Sequence, residues 1–159
     1  MDMHTEWITR PAQAADIPLL SEYWYDKMVL AQQMNAPLRL LPDARTRWEK
    51  TAQRWAKKRD VSFIVAEKDG DCAGCIVGAI MPNAPGLAPE NIGRVWQLVI
   101  DLHTPQRGAG RVLLGALRQR FATNDVTQIR VDVMPHLAVE RAFWQAQGAR
   151  PYRNAMILT

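Results

Sequence analysis

Ile92 to Arg120 reads IGRVWQLVIDLHTPQRGAGRVLLGALRQR, an order of residues that few folds accommodate. An apolar run leads into a short turn and two glycines one residue apart. A helix follows, with Leu113, Leu114, Leu117 and Phe121 recurring along one face. The chain thus passes from a strand, through a glycine turn, into a helix start. Such a turn leaves backbone N–H groups pointing outward, and the helix dipole adds partial positive charge there. Gly108-Ala109-Gly110 therefore suits a phosphate or pyrophosphate, with glycine keeping side chains off the amides. A plain tight turn accounts for two glycines equally well. The dinucleotide-binding spacing fails, because Leu113 holds its third glycine position, and no Gly-Lys-Ser/Thr follows to make a P-loop.

The rest of the chain supplies alternating strands and helices. Glu6 to Arg10 is a short candidate strand, after which Asp16 reads as a helix N-cap with Pro18 in the first turn. Ile17, Leu20, Trp24, Met28 and Ala31 then form one apolar stripe, with Glu22, Asp26 and Val29 on other faces. After a loop over Asn35 to Pro42, Asp43 caps a second helix whose Trp48, Ala52 and Trp55 share a face. Val61 to Glu67 and Cys72 to Met81 are strands joined by the hairpin signal Lys68-Asp69-Gly70-Asp71, and Pro82, Pro85 and Pro89 mark a loop. Beyond the organising segment come a strand over Thr127 to Met134 and a helix over about Leu137 to Gln147. Gly148 ends that helix, and a closing strand spans Ala155 to Thr159. This order predicts a single domain over residues 1–159, an α/β (α+β) fold with a mixed sheet flanked by helices.

Composition narrows the function classes. With 159 residues, 48% of them hydrophobic, the chain can bury a proper core. No apolar run reaches the roughly 20 residues of a membrane span, and MDMHTEWITR lacks the pattern of a signal peptide, so a cytoplasmic protein without a membrane partner is expected. A net charge of +4 is compatible with a polyanionic ligand. The densest basic run, Lys57-Lys58-Arg59, falls at a helix C-terminus, so no nucleic-acid partner is expected. Cys72-Ala73-Gly74-Cys75 lacks a second ligand pair for a metal. On a regular strand its two thiols would face opposite sides, so it reads as structural and no metal is expected.

With these residues in view, the chain resembles the GNAT N-acetyltransferases. The resemblance rests on Gly108 and Gly110 followed by Arg111-Val112-Leu113-Leu114 at a helix start, and on the order of elements. Pro105 stands where that motif has Gln or Arg, with Gln106 one place late. The resemblance implies acetyl-CoA as co-substrate, held between two splayed parallel strands. Pantetheine would pair with Leu98, Val99 and Ile100, and the pyrophosphate would sit on Arg107, Gly108, Ala109, Gly110 and Arg111. The implied reaction is direct attack of a primary amine, of a small molecule or protein, on the thioester. Backbone donors would polarise the carbonyl, and a base would free the amine of its proton.

The family's usual acid and base are replaced in this chain. Trp144 holds the tyrosine position, Leu137 the asparagine position and Arg94 the glutamate position. By location the substitutes for the base are His136, Asp132, Glu22 and Asp26, and His103, just before the turn, could touch CoA. Glu22, Tyr23, Asp26 and Trp96 are candidate acceptor-pocket residues, and Tyr25 and Trp48 could add aromatic walls. These replacements keep a second class open, a GNAT-like module that binds acyl-CoA without catalysing. The aromatic-rich helices are also compatible with a homodimer.

Overall fold

The computed structural model describes residues 6–103 and 107–159. Pro105 and Gln106, where the motif departs from its pattern, lie outside the described residues. Five strands form one sheet in the order β1 (Ile8–Pro11), β2 (Val61–Lys68), β3 (Asp71–Pro82), β4 (Asn91–Ile100) and β5 (Ile129–Val131). The first four are antiparallel neighbours, and β5 runs parallel to β4. Helices α1 (Ile17–Met34) and α2 (Ala44–Lys57) precede β2. Helix α3 (Ala109–Ala122) makes the crossover from β4 to β5, and α4 (Ala138–Ala146) follows. The mixed α+β sheet architecture read from the sequence is the one observed.

Strand alternation divides the core in two. Phe63, Val65, Cys75, Val77 and Val99 pack with Ile17, Leu20, Trp48 and Ala52 of α1 and α2. Ile64, Ile76, Val95 and Leu98 pack on the opposite face with Leu113, Leu114, Leu117, Phe121 and Trp144 of α3 and α4. The β2–β3 turn places Asp69 and Gly70 at positive φ, 55° and 80°, as a two-residue hairpin turn requires.

Two irregularities carry the sheet away from simple alternation. Val77 pairs with Gln97 but Gly78 pairs with Val95, so Trp96 is an extra residue in β4. Val95 and Leu98 consequently lie on the same face, three positions apart. A second shift between Ala66 and Glu67 leaves Ala73 as the extra residue in β3. This corrects the expectation for the cysteines: Cys72 and Cys75 both pack into the α1/α2 side of the core. Both thiols are free, and burial raises both above the usual thiol range.

Other differences occur at element ends. Asp16 is not a side-chain cap of α1; its carboxylate takes two 2.8 Å hydrogen bonds from Arg10 and a 2.7 Å bond from the Gln13 N–H. Asp43 likewise spends its Oδ1 on Arg47 Nε at 2.8 Å. β5 keeps only three of the eight residues expected, because only Ile129, Arg130 and Val131 find partners on β4. No strand forms over residues 155–159, where every residue is exposed. Gly148 does end α4: its φ is +90°, and the Gly148 and Ala149 N–H groups return to Gln145 O and Trp144 O.

Arg10 also reaches Glu67 at 3.3 Å, so one guanidinium ties β1, β2 and the entry to α1 together. Its hydrogen bonds hold the Asp16 carboxyl below the usual carboxylate range. A carboxyl with a lowered folded-state pKa stabilises fully above its unfolded pKa, and that gain vanishes as pH falls through the folded value. Asp16→Asn should therefore destabilise by about 1 kcal/mol near neutrality. The difference from the parent should fade below about pH 4. Urea midpoints measured at several pH values check both statements.

Candidate active site

The geometry of β4 and β5 defines the site. They pair only at Gly93–Ile129, Arg94–Arg130 and Val95–Val131. Beyond Val95, β4 continues through Trp96 to Ile100 with no strand partner on that side among the described residues, so the two parallel strands diverge toward their C-terminal ends. The divergence opens toward the turn that starts α3. Gly108 caps that helix at φ +96°, a left-handed conformation costly for any other residue. Val112 N–H closes the first turn on Gly108 O at 3.0 Å. The amides of residues 109–111 precede that closure and find no acceptor within the helix.

The two glycines serve different ends. A side chain on Gly108 would meet little, its nearest neighbour being Trp7 Nε1 at 3.4 Å, so backbone conformation alone selects glycine there. At Gly110 a Cβ would come within 2.9 Å of the Phe143 ring. Gly110 thus lets the start of α3 rest against α4, a packing role that the sequence reading did not assign. Arg107 and Arg111 are both exposed beside the turn.

Along the unpaired half of β4, Leu98 and Val99 are buried and Ile100 is half-buried. Leu98 O accepts a 2.9 Å hydrogen bond from Lys27 Nζ, and the same ammonium sits 3.0 Å from Glu140 Oε1. A strand residue points its C=O and N–H to the same edge, so Leu98 presents both to the gap rather than to β3. Lys27 and Glu140 are each about 15% exposed, and together they span from α1 across β4 to α4. Neither was singled out from the sequence, although a signal existed: Lys27 is the one cation aligned with Leu20, Trp24 and Ala31 on the inner stripe of α1.

At the end of β4 a polar cluster joins α1 to the following loop. His103 Nε2 lies 3.1 Å from Asp26 Oδ2, and His103 N–H donates to Asp101 Oδ1 at 3.0 Å. The Tyr23 hydroxyl donates to Cys72 O at 3.1 Å, and burial, with the Asp101 carboxylate beside it, pushes its phenol up to about 12.

The structure gathers some of the sequence candidates and disperses others. Tyr23 and Asp26 meet at the end of β4, while Trp96 sits at its middle against Trp55, with ring centroids 6.1 Å apart. Glu22 and Tyr25 are exposed, and Trp48 is buried with its Nε1 donating to Gln97 Oε1 at 2.8 Å. Asp132 is an exposed carboxylate held by Arg94 at 2.7 Å. His136 is exposed beside the buried Leu137 at the entry to α4. Trp144 is buried in the α3/α4 core. Among the described residues no His/Cys/Asp/Glu group could hold a metal ion, and no helix is long and apolar enough to cross a membrane.

Comparison with known proteins agrees with this geometry. The BH1408 protein of Bacillus halodurans, solved as a tetramutant, superposes with a TM-score of 0.82 at 16% identity, covering 96% of this chain and 99% of that one. A predicted acetyltransferase of Clostridium acetobutylicum, solved with acetyl-CoA, gives 0.73 at 12% identity over 97% and 96% of the two chains. A curated relative, the L-2,4-diaminobutyric acid acetyltransferase of Nocardia farcinica, is 27% identical over 96 residues, or 60% of this chain. That match spans about half of the relative's own length, 47%. The family model of the acetyltransferase (GNAT) family matches residues 22–149. Diverging parallel strands, a left-handed glycine at the start of the crossover helix and this family match place the chain in the GNAT family, a family of N-acetyltransferases.

Proposed function

We propose that the protein transfers an acetyl group from acetyl-CoA to a primary amine of a small molecule. The observation that carries this reading is the separation of β4 from β5 after Val95 and Val131, ending at the Gly108 turn. In it the diphosphate rests on the amides of Gly108, Ala109, Gly110 and Arg111, with Arg107 and Arg111 adding charge. The pantetheine arm then runs back beside Leu98, Val99 and Ile100, and the Leu98 N–H is placed to polarise the thioester carbonyl.

The acceptor arrives as an ammonium and must lose a proton before it attacks. Glu140 is the carboxylate that faces the open half of β4, and with Leu98 O it already holds one primary ammonium, that of Lys27. We assign Glu140 as proton acceptor in preference to Asp132, because the Asp132 side chain is 90% exposed to solvent whereas that of Glu140 is 16% exposed. His136 is exposed, and the Asp26 carboxylate is paired with His103. The attacking nitrogen forms a C–N bond, the thioester C–S bond breaks, and the second proton of the nitrogen passes through water to the departing thiolate, giving the amide and the free thiol. A thiolate needs little acid assistance, which fits an apolar Trp144 and Leu137 at the positions where the family has polar groups.

The curated relative acts on an amino acid bearing a second amine, so small diamino acids head the acceptor panel. Release of free CoA thiol is expected with at least one of them. Glu140→Gln should lower kcat about 100-fold while acetyl-CoA affinity, read by calorimetry, stays unchanged. Tight acetyl-CoA binding with no turnover on any amine would favour the non-catalytic module, for which the buried Trp144 and Leu137 speak. Absence of acetyl-CoA binding would end both readings.

A further inference from the structure

Within the folded chain, Lys27 already makes the contacts that the proposed mechanism assigns to an acceptor amine. It lies on the inner stripe of α1 with Leu20, Trp24 and Ala31, where a cation is tolerated only if it is paired. Its Nζ is 2.9 Å from Leu98 O and 3.0 Å from Glu140 Oε1, and its side chain is 15% exposed. The other lysines are placed differently. Lys50, Lys57 and Lys58 are exposed on α2 and at its end, and Lys68 ends β2 over the Trp7 ring.

Leu98 turns its C=O and its N–H to the same open edge of β4. A thioester carbonyl held by that N–H and an amine held by that C=O therefore lie side by side. The neighbouring carboxylate gives the ammonium a place to leave its proton. Groups oriented in this way react with an effective concentration that reaches about 10⁵ M.

We propose that Lys27 is a self-acetylation site, modified in cis when acetyl-CoA is bound and no acceptor amine displaces it; this rests on the acetyltransferase reading above. Glu140 takes one proton from the Lys27 ammonium, and the freed Nζ attacks the acetyl carbon. The C–N bond forms, the C–S bond breaks, and the second proton passes through water to the departing thiolate. The products are an amide on Lys27 and the free CoA thiol, and Glu140 returns its proton to solvent. The amide N–H can still donate to Leu98 O, but the cation that faced Glu140 is gone. An amide nitrogen is not a nucleophile, so the event occurs once per chain.

The test incubates the full chain with acetyl-CoA and no added amine, following intact mass and peptide map with time. One acetyl group per chain is expected, on Lys27. It should appear at least about tenfold faster than on Lys50, Lys57, Lys58 or Lys68, at a first-order rate that dilution of the protein leaves unchanged. Lys27→Arg keeps a cation beside Glu140 and should lose this fast phase. Calorimetric titration of the same samples with acetyl-CoA separates the two readings. In a chain that binds acetyl-CoA, four results would each overturn self-acetylation and leave the acetyltransferase reading standing: an unmarked Lys27, a mark spread evenly over the exposed lysines, a rate that falls on dilution, or a fast phase that survives in Lys27→Arg. A chain that binds no acetyl-CoA would bring down both.

Discussion

Gly110→Val should raise the acetyl-CoA dissociation constant by about tenfold or more while leaving the β1–β3 half of the sheet intact. The first atom added already comes within 2.9 Å of the Phe143 Cε2. An aromatic ring wedged against Trp144, with centroids 5.1 Å apart, has little room to retreat. Overpacking of this kind costs about 1–3 kcal/mol, and here it is relieved by pushing α4 away from the start of α3. That motion displaces the amides proposed to receive the diphosphate and also Glu140, which is on α4. The diagnostic measurement is a double-mutant cycle read by calorimetric titration with acetyl-CoA. Adding Phe143→Ala should restore most of the affinity lost in Gly110→Val. If affinity falls equally in both backgrounds, the glycine matters through direct approach of the ligand and not through the helix contact.

Phe121→Ala should be the most damaging single truncation, costing about 3–5 kcal/mol. Phe121 is 1% exposed at the last turn of α3, and its ring fills the space above Gly93 where a Cβ would lie only 2.4 Å away. Gly93 N–H bonds Gln128 O at 2.8 Å, and Gly93 pairs with Ile129 where β4 and β5 first meet. The ring thus clamps the point from which the two strands diverge. Its loss should lower the unfolding midpoint by several degrees and loosen the strand separation itself. Thermal unfolding with and without acetyl-CoA checks this: the variant should show a lowered midpoint and a smaller ligand-induced shift. A midpoint close to that of the parent would mean that α3 is held to the sheet by Leu113 and Leu117 alone.

Legibility from sequence followed the range of the forces concerned. The strand from Asn91 to Ile100 and the helix from Ala109 to Ala122 show in the apolar periodicity because each buries a continuous face. Gly148 and the Asp69-Gly70 turn were readable because positive φ is a local demand. Asp16 and Asp43 do stand at the N-cap positions of α1 and α2, but an arginine supplied by tertiary structure or by the next turn takes each carboxylate in place of the backbone amides. The faces of Cys72 and Cys75 could not be read, since one extra residue reverses strand parity and leaves no local trace. Thr127 to Met134 has strand-like alternation throughout, yet only three residues meet β4.

The site divides along the same line. Gly108 and its helix start were visible from the sequence, and the strand divergence was expected through the family resemblance. Glu140 was not, because its meaning comes from Lys27, 113 positions away. Lys27 itself was legible in principle, as a cation on a stripe whose other members are apolar.

The indoles between α1, α2 and β4 have an optical consequence. Trp24 and Trp48 stack with centroids 5.8 Å apart and planes 18° from parallel, and Trp48, Trp55 and Trp96 continue the series at 6.1 Å steps. Chromophores this close share their excited states, so the folded protein should show an exciton couplet in its circular dichroism. Trp96 belongs to the ladder only because β4 carries an extra residue there. The couplet would therefore respond to rearrangement of that strand, giving a label-free signal for ligand entry into the open half of the sheet.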